Sequence, residues 1–547
     1  GALVLSGVHA KVSGQYGNIP AALGSGTLVK NGVQVGEDAT AELDVKDSLV
    51  VLKGGSLSGD SGMEGGALAV VSDNAAIAAG KIKVATGDSL SIKDTDIAIV
   101  GKATDSLVLD VNSTGTHVIA DLGTVKGNVG GVAIVDEANK SIAVMDKYFT
   151  NIRLANGKVV ADLNTSYYSD EAGASVSANG AEGLAMADTV LVKLNPQATA
   201  PKGGLAAALN MLDTAKSEAA DELGASLAGA STTVLGMAVS GDVDRQLQAI
   251  RNRTTTMGVD QSVANEDMPY FNAWINAEGD RSELSESGTE GGYELSSWGG
   301  TVGFDVDLCP TLTAGMALTA MYGDIDTTGA DKASGNIDTY YVTAFARYAP
   351  SAWTHTFVAT VGKSDISLDR KVAGYETKGE TDGLSFGLMY EVGRVFALDE
   401  DGTTCLQPVF NVTWKHTAID AYTEDGSDLA LEVDEQTLDT VTFGLGARLQ
   451  TVVGESMYNR TSILEARVLA KADVGDRSGS ADVALAALPG ATASVDSAEM
   501  GAFGLEAGAG LTIPVGQEGG SIFMDASVEL RSDYTNVNGT VGYRINF

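Results

Sequence analysis

Residues 293–308 read YELSSWGGTVGFDVDL and change character at every step. Trp298, Gly300, Val302, Phe304, Val306 and Leu308 fall on one side; Ser297, Gly299, Thr301, Gly303 and Asp305 fall on the other. Successive side chains of a β-strand point to opposite faces, so this is a strand with one apolar and one polar face. The polar face lacks the Lys and Glu of a soluble surface. Residues 311–324 (TLTAGMALTAMYGD) and 336–349 (NIDTYYVTAFARYA) repeat the pattern. These runs are far longer than a usual strand of about 5–6 residues. Roughly ten residues tilted at ~45° cross the hydrocarbon of a bilayer. Aromatics such as Tyr340 and Tyr348 stand near the ends of the apolar rows, as in the girdles at membrane interfaces.

Twelve such strands can be traced, beginning near Phe271, Glu294, Thr311, Ile337, Trp353, Gly383, Cys405, Glu435, Ser462, Gly501, Ser521 and Asn536. An even count suits a closed bacterial barrel. Long polar connections (DRSELSESGTEGG, DIDTTGADKASG, AYTEDGSDLALEV) alternate with tight ones (DLCP, APSA), as long outer loops alternate with short periplasmic turns. The final segment, NVNGTVGYRINF, alternates up to Phe547. A lipid-bathed barrel leaves no edge unpaired, so this strand is expected to close on the first.

The chain has 547 residues, a length that suits two or three regions. Its net charge of -37 argues against a nucleic-acid partner and against attraction to anionic lipid. Apolar residues make up 44%, too many for a disordered chain. No apolar run approaches the ~18 residues of a transmembrane helix. GALVLSGVHA has no charged start or long apolar stretch, so the chain is expected to begin at a processed or truncated end.

Residues 1–195 are short Val- and Ile-rich runs separated by Gly, Asn and Asp, and large rings are almost absent before Tyr148. A sandwich core would use rings; a parallel β-helix stacks small aliphatics. A β-helix-like solenoid is therefore expected. Residues 196–228 read as a linker with a short helix, 229–268 as a second helix with its lead-in, and 269–547 as the barrel. The second helix carries Asp242, Asp244, Arg245, Arg251 and Arg253 around a thin apolar stripe, which suits a polar, water-filled surround. The bland alternative is an ordinary solvated helix.

A β-rich first half, a charged helix and twelve strands ending in Phe resemble the monomeric autotransporters of Gram-negative bacteria. The resemblance rests on VLGMAVSGDVDRQLQAIRNR, FNAWINAEGDRS, SSWGGTVGFDVDL and VGYRINF, within residues 230–547. It implies an all-β fold: a 12-stranded antiparallel transmembrane β-barrel plugged by an α-helix and preceded by the solenoid passenger. It implies an outer-membrane protein that translocates and anchors its own extracellular passenger, with lipid, lipopolysaccharide and the barrel-assembly machinery as partners. The chain is expected to be a monomer that takes no cofactor. Val541, Tyr543, Ile545 and Phe547 are similar to the signal that machinery reads. The helix charges would face lumen groups such as Arg347 and Arg544. Some members cut themselves at an asparagine in an EVNNLNKR-like motif; here GDVDRQLQAIR has Asp244 and Arg245 in the asparagine places. The passenger is therefore expected to remain attached. The alternative is an adhesin whose passenger binds a host or neighbouring-cell ligand, the barrel serving only as anchor.

Enzymatic chemistry is not expected. Gly59-Asp60-Ser61-Gly62 looks like a serine-nucleophile loop, but the only upstream histidine is His9, and a triad needs a positioned base and acid. An acidic Gly-rich turn is the better reading. His9, His117, His355 and His416 lack metal-ligand spacing; His355 and His416 lie on expected strands and could face the lumen. Cys309 and Cys405 fall at expected periplasmic turns, where a disulfide can form. They stand four strands apart, far for sulfurs whose Cα atoms must approach within about 7 Å. A bridge across the pore mouth and two free thiols both remain open.

Overall fold

The computed structural model describes residues 2–16, 32–71, 76–78, 82–83, 89–101, 106–108, 116–136, 147–173, 175–194, 203–256, 270–455, 461–515 and 520–547. The expected linker at 196–202 and lead-in at 257–268 lie outside these residues. The chain divides into two compact units, residues 1–171 with 188–202, and residues 172–187 with 203–547.

In the first unit the strands Gly32–Val35, Leu49–Leu52, Ala67–Val71 and Ser89–Gly101 pair in parallel, in that order. Val33, Val50, Leu68 and Ile97 meet as successive partners, and all four are fully buried. Val35, Leu52, Val70 and Ile99 form the next stack. A second parallel row joins His9–Gly14, Thr40–Lys46, Asp60–Glu64 and the start of Ser89–Gly101. Branched aliphatics in register fill this core without rings, as their strand preference allows. Thr116–Asp121, Lys158–Leu163 and Phe149–Ala155 then pair antiparallel.

Helices α1 (Tyr167–Ala172) and α2 (Ala178–Leu194) replace the β-structure expected up to residue 195. Leu184, Ala187 and Leu191 recur at helical spacing and are buried, which is the signal that decides α2. The single helix expected after the linker is two, α3 (Gly203–Leu212) and α4 (Ser217–Leu227). Thr214 turns its hydroxyl onto the carbonyls of Asn210 and Met211, competing with the backbone where α3 stops.

The second unit contains the barrel: β1 (Tyr270–Leu284), β2 (Gly292–Cys309), β3 (Leu312–Thr328), β4 (Ala333–Tyr348), β5 (Trp353–Val372), β6 (Tyr375–Arg394), β7 (Thr404–Ile419), β8 (Gln436–Glu455), β9 (Thr461–Gly475), β10 (Phe503–Val515), β11 (Gly520–Arg531) and β12 (Tyr534–Asn546). Each strand pairs antiparallel with the next, and β12 returns to β1 with Gly539 opposite Gly279. The barrel is closed. Trp298, Val302, Phe304 and Leu308 are each more than half exposed on its outside, while Ser297, Thr301 and Asp305 are buried inside. Apolar-out and polar-in is the pattern for a lipid surround. Trp298, Tyr322 and Tyr340 cluster outside near one end, with ring centroids 5.4 and 6.4 Å apart. Tyr348 lies eight positions beyond Tyr340 on β4, about 26 Å along the strand, on the scale of the ~25 Å apolar band of such barrels.

Several strands outrun their expected limits. β6 begins at Tyr375, and Asp280–Leu284 and Asp324–Thr328, read as loop, continue β1 and β3. The antiparallel ladder needs only backbone groups, so it continues past the bilayer where both faces can be polar. Beyond the barrel, Tyr422–Thr423, Leu431–Val433, Ser480–Leu485 and Leu488–Asp496 form a separate four-stranded sheet from two loops. The alternating pattern had suggested no strands there.

Candidate functional site

Helix α5 (Val234–Thr256) fills the barrel lumen. A helix satisfies its own backbone donors and acceptors, which suits a segment screened from bulk water. Its sequence supplies good helix formers, among them Leu247, Gln246, Gln248 and Arg251. The thin apolar stripe packs on lumen rings. Val243, Leu247 and Ile250 share a buried cluster with Trp274, Tyr341, Phe345, Met389 and Phe523. Nearer the long-loop end, Val234, Leu235 and Val239 pack with Leu284, Tyr293, Leu295 and Tyr534. Gly387 permits this approach, because a Cβ there would sit 2.8 Å from both Val243 and Leu247.

Four of the five charged helix residues end in ion pairs with barrel strands, and the fifth, Asp242, pairs with Arg245 of its own helix. Arg245 lies 3.0 Å from Asp280 and 3.5 Å from Glu278, both on β1, and 3.6 Å from Asp242 on its own helix. Asp244 meets Lys471 of β9 at 3.3 Å and accepts a 2.6 Å hydrogen bond from Gln248. Lys471 also reaches Glu506 at 3.1 Å and Glu529 at 2.6 Å. Arg251 donates to Glu506 of β10 at 2.6 Å and stands 4.0 Å from Glu391 of β6. Arg253 sits 5.2 Å from the centroid of the Trp274 ring, 5.1 Å from that of Phe523, and 3.6 Å from Asp305 of β2. Gln246 donates to Thr319 and Thr343 at 3.0 and 3.1 Å. Desolvating such charges is costly, and breaking a buried pair costs ~3–5 kcal/mol. The pairs therefore favour one rotation and one depth of α5 in the lumen.

The partners differ from those expected. Arg544 does face the lumen, but it stands 4.0 Å from Asp305, sharing that carboxylate with Arg253. Arg347 lies on the lumen face of β4, with Asp307 as a charged neighbour, and no described ion pair joins it to α5. The carboxylates and lysine that do hold the helix (Glu278, Asp280, Asp305, Glu391, Glu506 and Lys471) were missed. Their signal was present: a charge at an inward position among Thr, Ser and Gly, as Asp305 is in its row.

Other expectations need correcting. Cys309 and Cys405 are both free, at the end of β2 and the start of β7; their places far apart around the rim keep the sulfurs from meeting. His355 and His416 face outward, because Thr354, Thr356, Lys415 and Thr417 take the inward positions beside them. His355 Nδ1 lies 2.9 Å from the Tyr390 hydroxyl and His416 Nδ1 3.1 Å from Asp439. Ser61 is buried; its hydroxyl donates to Ser58 O and accepts from Leu43 N–H, the role of a turn residue. Val541, Tyr543 and Ile545 lie on the outer face of β12 and Phe547 is exposed just past its end, where its N–H donates to Phe271 O at 2.8 Å.

Residues 273–527 match the autotransporter beta-domain family. The barrel is an autotransporter β-domain. A β-domain of this family places the barrel in the outer membrane and the passenger outside the cell. Solved structures similar to it include the translocator domain of NalP from Neisseria meningitidis, at 18% identity and a TM-score of 0.44 over 58% of this chain and 99% of that one. The beta domain of the Bordetella protein BrkA matches at 17% identity and a TM-score of 0.39, over 51% of this chain and all of that one. The transport unit of AIDA-I from Escherichia coli matches at 14% identity and a TM-score of 0.38, over 54% and 97%. No curated protein matches the chain.

Proposed function

We propose that this autotransporter carries its first unit to the cell surface and keeps it there, uncleaved, with α5 left in the pore as plug and anchor. The ring of buried ion pairs around α5 carries the reading. It holds a single helix on several sides, and a helix is about 10–12 Å across, a fit for a lumen between those of 8- and 16-stranded barrels. Retention is supported by Asp244 and Arg245, which stand where self-cleaving relatives keep asparagines and are committed to Lys471 and Asp280. The chain performs no chemical step on this reading. It acts as a monomer, assembled by the barrel-assembly machinery and surrounded by lipid and lipopolysaccharide.

The experiment adds protease to intact cells and follows fragments with separate antibodies to residues 1–195 and to the barrel. Loss of the first epitope with a protected barrel is expected. A first epitope protected until lysis would sink the reading. The adhesin alternative has one observation in its favour, the exposed row of Lys46, Glu64 and Lys93 on neighbouring strands. These charges are already paired with one another, which leaves the row little to offer a charged ligand.

A further inference from the structure

The chain leaves the pore through a closed collar. Between α4 and α5 it bends by 55°. Gly229 makes the turn with φ at 71°, followed by a short 3₁₀ turn over Ala230–Thr233. Every residue from Ser226 to Thr233 is buried, although this segment lies outside the transmembrane part of the barrel. The outer ends of the strands supply the walls. Arg370 of β5 is fully buried, grips Glu424 with two hydrogen bonds of 3.0 and 2.7 Å, and donates to the Ser226 carbonyl at 2.8 Å. Asp331, between β3 and β4, accepts from the Ser226 hydroxyl at 3.2 Å and from the Ser231 N–H and hydroxyl at 3.1 and 2.6 Å. Gln436 of β8 donates to the Thr232 carbonyl at 3.2 Å. Burial pushes the Asp331 carboxyl above the ordinary carboxylate range, while Arg370 opposes the rise.

These contacts recognise one register of the chain. Asp331 needs a hydroxyl and a free N–H five residues apart, at Ser226 and Ser231, and the bend needs glycine between them. A Cβ at position 229 would run into Leu431. A different stretch in transit through the mouth would leave Asp331 buried beside the pore without these donors, an unfavourable state for a carboxylate.

We propose that Asp331, Arg370 and Glu424 form a latch on the outer mouth that sets the register at which transport stops and then closes the mouth around residues 226–233. The latch grips a different stretch of chain from the one that the deeper lumen ion pairs hold. It rests on the reading that the passenger stays attached, since a released passenger would need no fixed stopping point.

The test uses the full chain with Cys309→Ser, Cys405→Ser and Ala228→Cys, purified in micelles and exposed to a water-soluble maleimide. Ala228 is fully buried in the collar, so labelling reports an open mouth. The parent should label at least tenfold more slowly than the urea-unfolded chain. Arg370→Ala and Asp331→Ala should raise the rate at least tenfold while the barrel stays heat-modifiable. Arg281→Ala, which removes an exposed surface pair with Glu294, should leave it near the parent rate. Where Arg370→Ala yields no heat-modifiable barrel, the isosteric Asp331→Asn replaces it, with a smaller rise expected. Parent-like labelling in the latch variants overturns the latch, as does an equal rise in Arg281→Ala. Surface display is scored separately by protease treatment of cells, so a passenger that fails to reach the surface counts against the transport reading and leaves the labelling result standing.

Discussion

Arg245→Ala should be the most damaging single change in the lumen. Arg245 lies within 3.6 Å of three carboxylates, Asp242, Glu278 and Asp280, whose side chains are at most 4% exposed. Among the described residues no other Lys or Arg forms an ion pair with any of them. Its removal leaves three buried acids facing one another, which places the cost at the upper end of the ~3–5 kcal/mol for breaking a buried pair. Arg251→Ala provides the contrast. Glu506 would keep Lys471 at 3.1 Å and Arg467 at 3.3 Å, and Glu391 would keep Arg448 at 2.6 Å. That change belongs at the lower end, near 3 kcal/mol. The gap of about 2 kcal/mol corresponds to a roughly 30-fold difference in equilibrium constant.

Urea unfolding of the purified protein in micelles, followed by tryptophan fluorescence, measures the difference. Trp274, Trp298, Trp353 and Trp414 are the only tryptophans and all lie on barrel strands, so the signal reports this unit alone. Adding Asp280→Asn to Arg245→Ala removes one stranded charge and should restore about 1–2 kcal/mol of the loss. An Arg245→Ala variant no less stable than Arg251→Ala would refute the reasoning. So would further destabilisation by Asp280→Asn in that background.

Phe547→Ala should lower the amount of heat-modifiable barrel in membranes several-fold while leaving the stability of barrels already formed unchanged. The ring is 74% exposed and the anchoring bond comes from the backbone; wild-type levels of folded barrel would count against an assembly role. Gly542→Val should destabilise the barrel by ~1–3 kcal/mol through overpacking, because a Cβ there would enter the Phe523 ring. Phe523→Ala in the same chain should relieve the ring part of the clash, leaving the Ile275 carbonyl at 2.6 Å, and strictly additive losses in urea melts would exclude a ring clash. In the first unit, hydrogen bonds and charge from Lys46 and Lys93 hold Glu64 down to about 2, from an ordinary 4.5. A depressed carboxylate stabilises the fold above its unfolded value, and that contribution fades as pH falls from about 4.5 toward 2. Hydrogen exchange of a peptide covering residues 60–66 should lose protection over that window in the wild type but hardly change in Glu64→Gln; parallel profiles would remove Glu64 as the cause.

The barrel was legible because lipid imposes a rule on every strand. Apolar-out and polar-in alternation must hold at each membrane-crossing position, so Trp298 to Leu308 sufficed to reveal it. The rule lapses outside the bilayer, and there the reading faltered. β6 began eight residues early, and Ser480–Leu485 with Leu488–Asp496 went unseen because their strands pack on loop partners. The charges of α5 were found from composition, but their partners lie up to 255 positions away, as Arg251 and Glu506 do. Pairing across a closed barrel depends on strand order, tilt and register together, which no local pattern carries. The cysteines show the same limit: the chemistry of a bridge was sound, but the distance between β2 and β7 around the rim was not in the sequence.

Asp244 and Arg245 tie these strands together. On the resemblance to an EVNNLNKR-like motif their positions correspond to asparagines; a carboxylate held by Lys471 and a guanidinium held by Asp280 offer no side-chain amide to act as nucleophile. On the proposed reading the same two positions that remove the means of scission supply the means of retention. Retention by ion pairs alone would be sensitive to rotation or sliding of α5, because each pair is short-ranged and directional. The outer latch answers that weakness. It fixes the chain at Ser226 and Ser231, the latter three residues before Val234, the first buried apolar contact of α5. With the chain fixed at the mouth, sliding of α5 would require breaking contacts at both levels together. Combining Arg370→Ala with Arg245→Ala should therefore loosen the helix more than the two single changes added, and strictly additive losses would show the two levels to be independent.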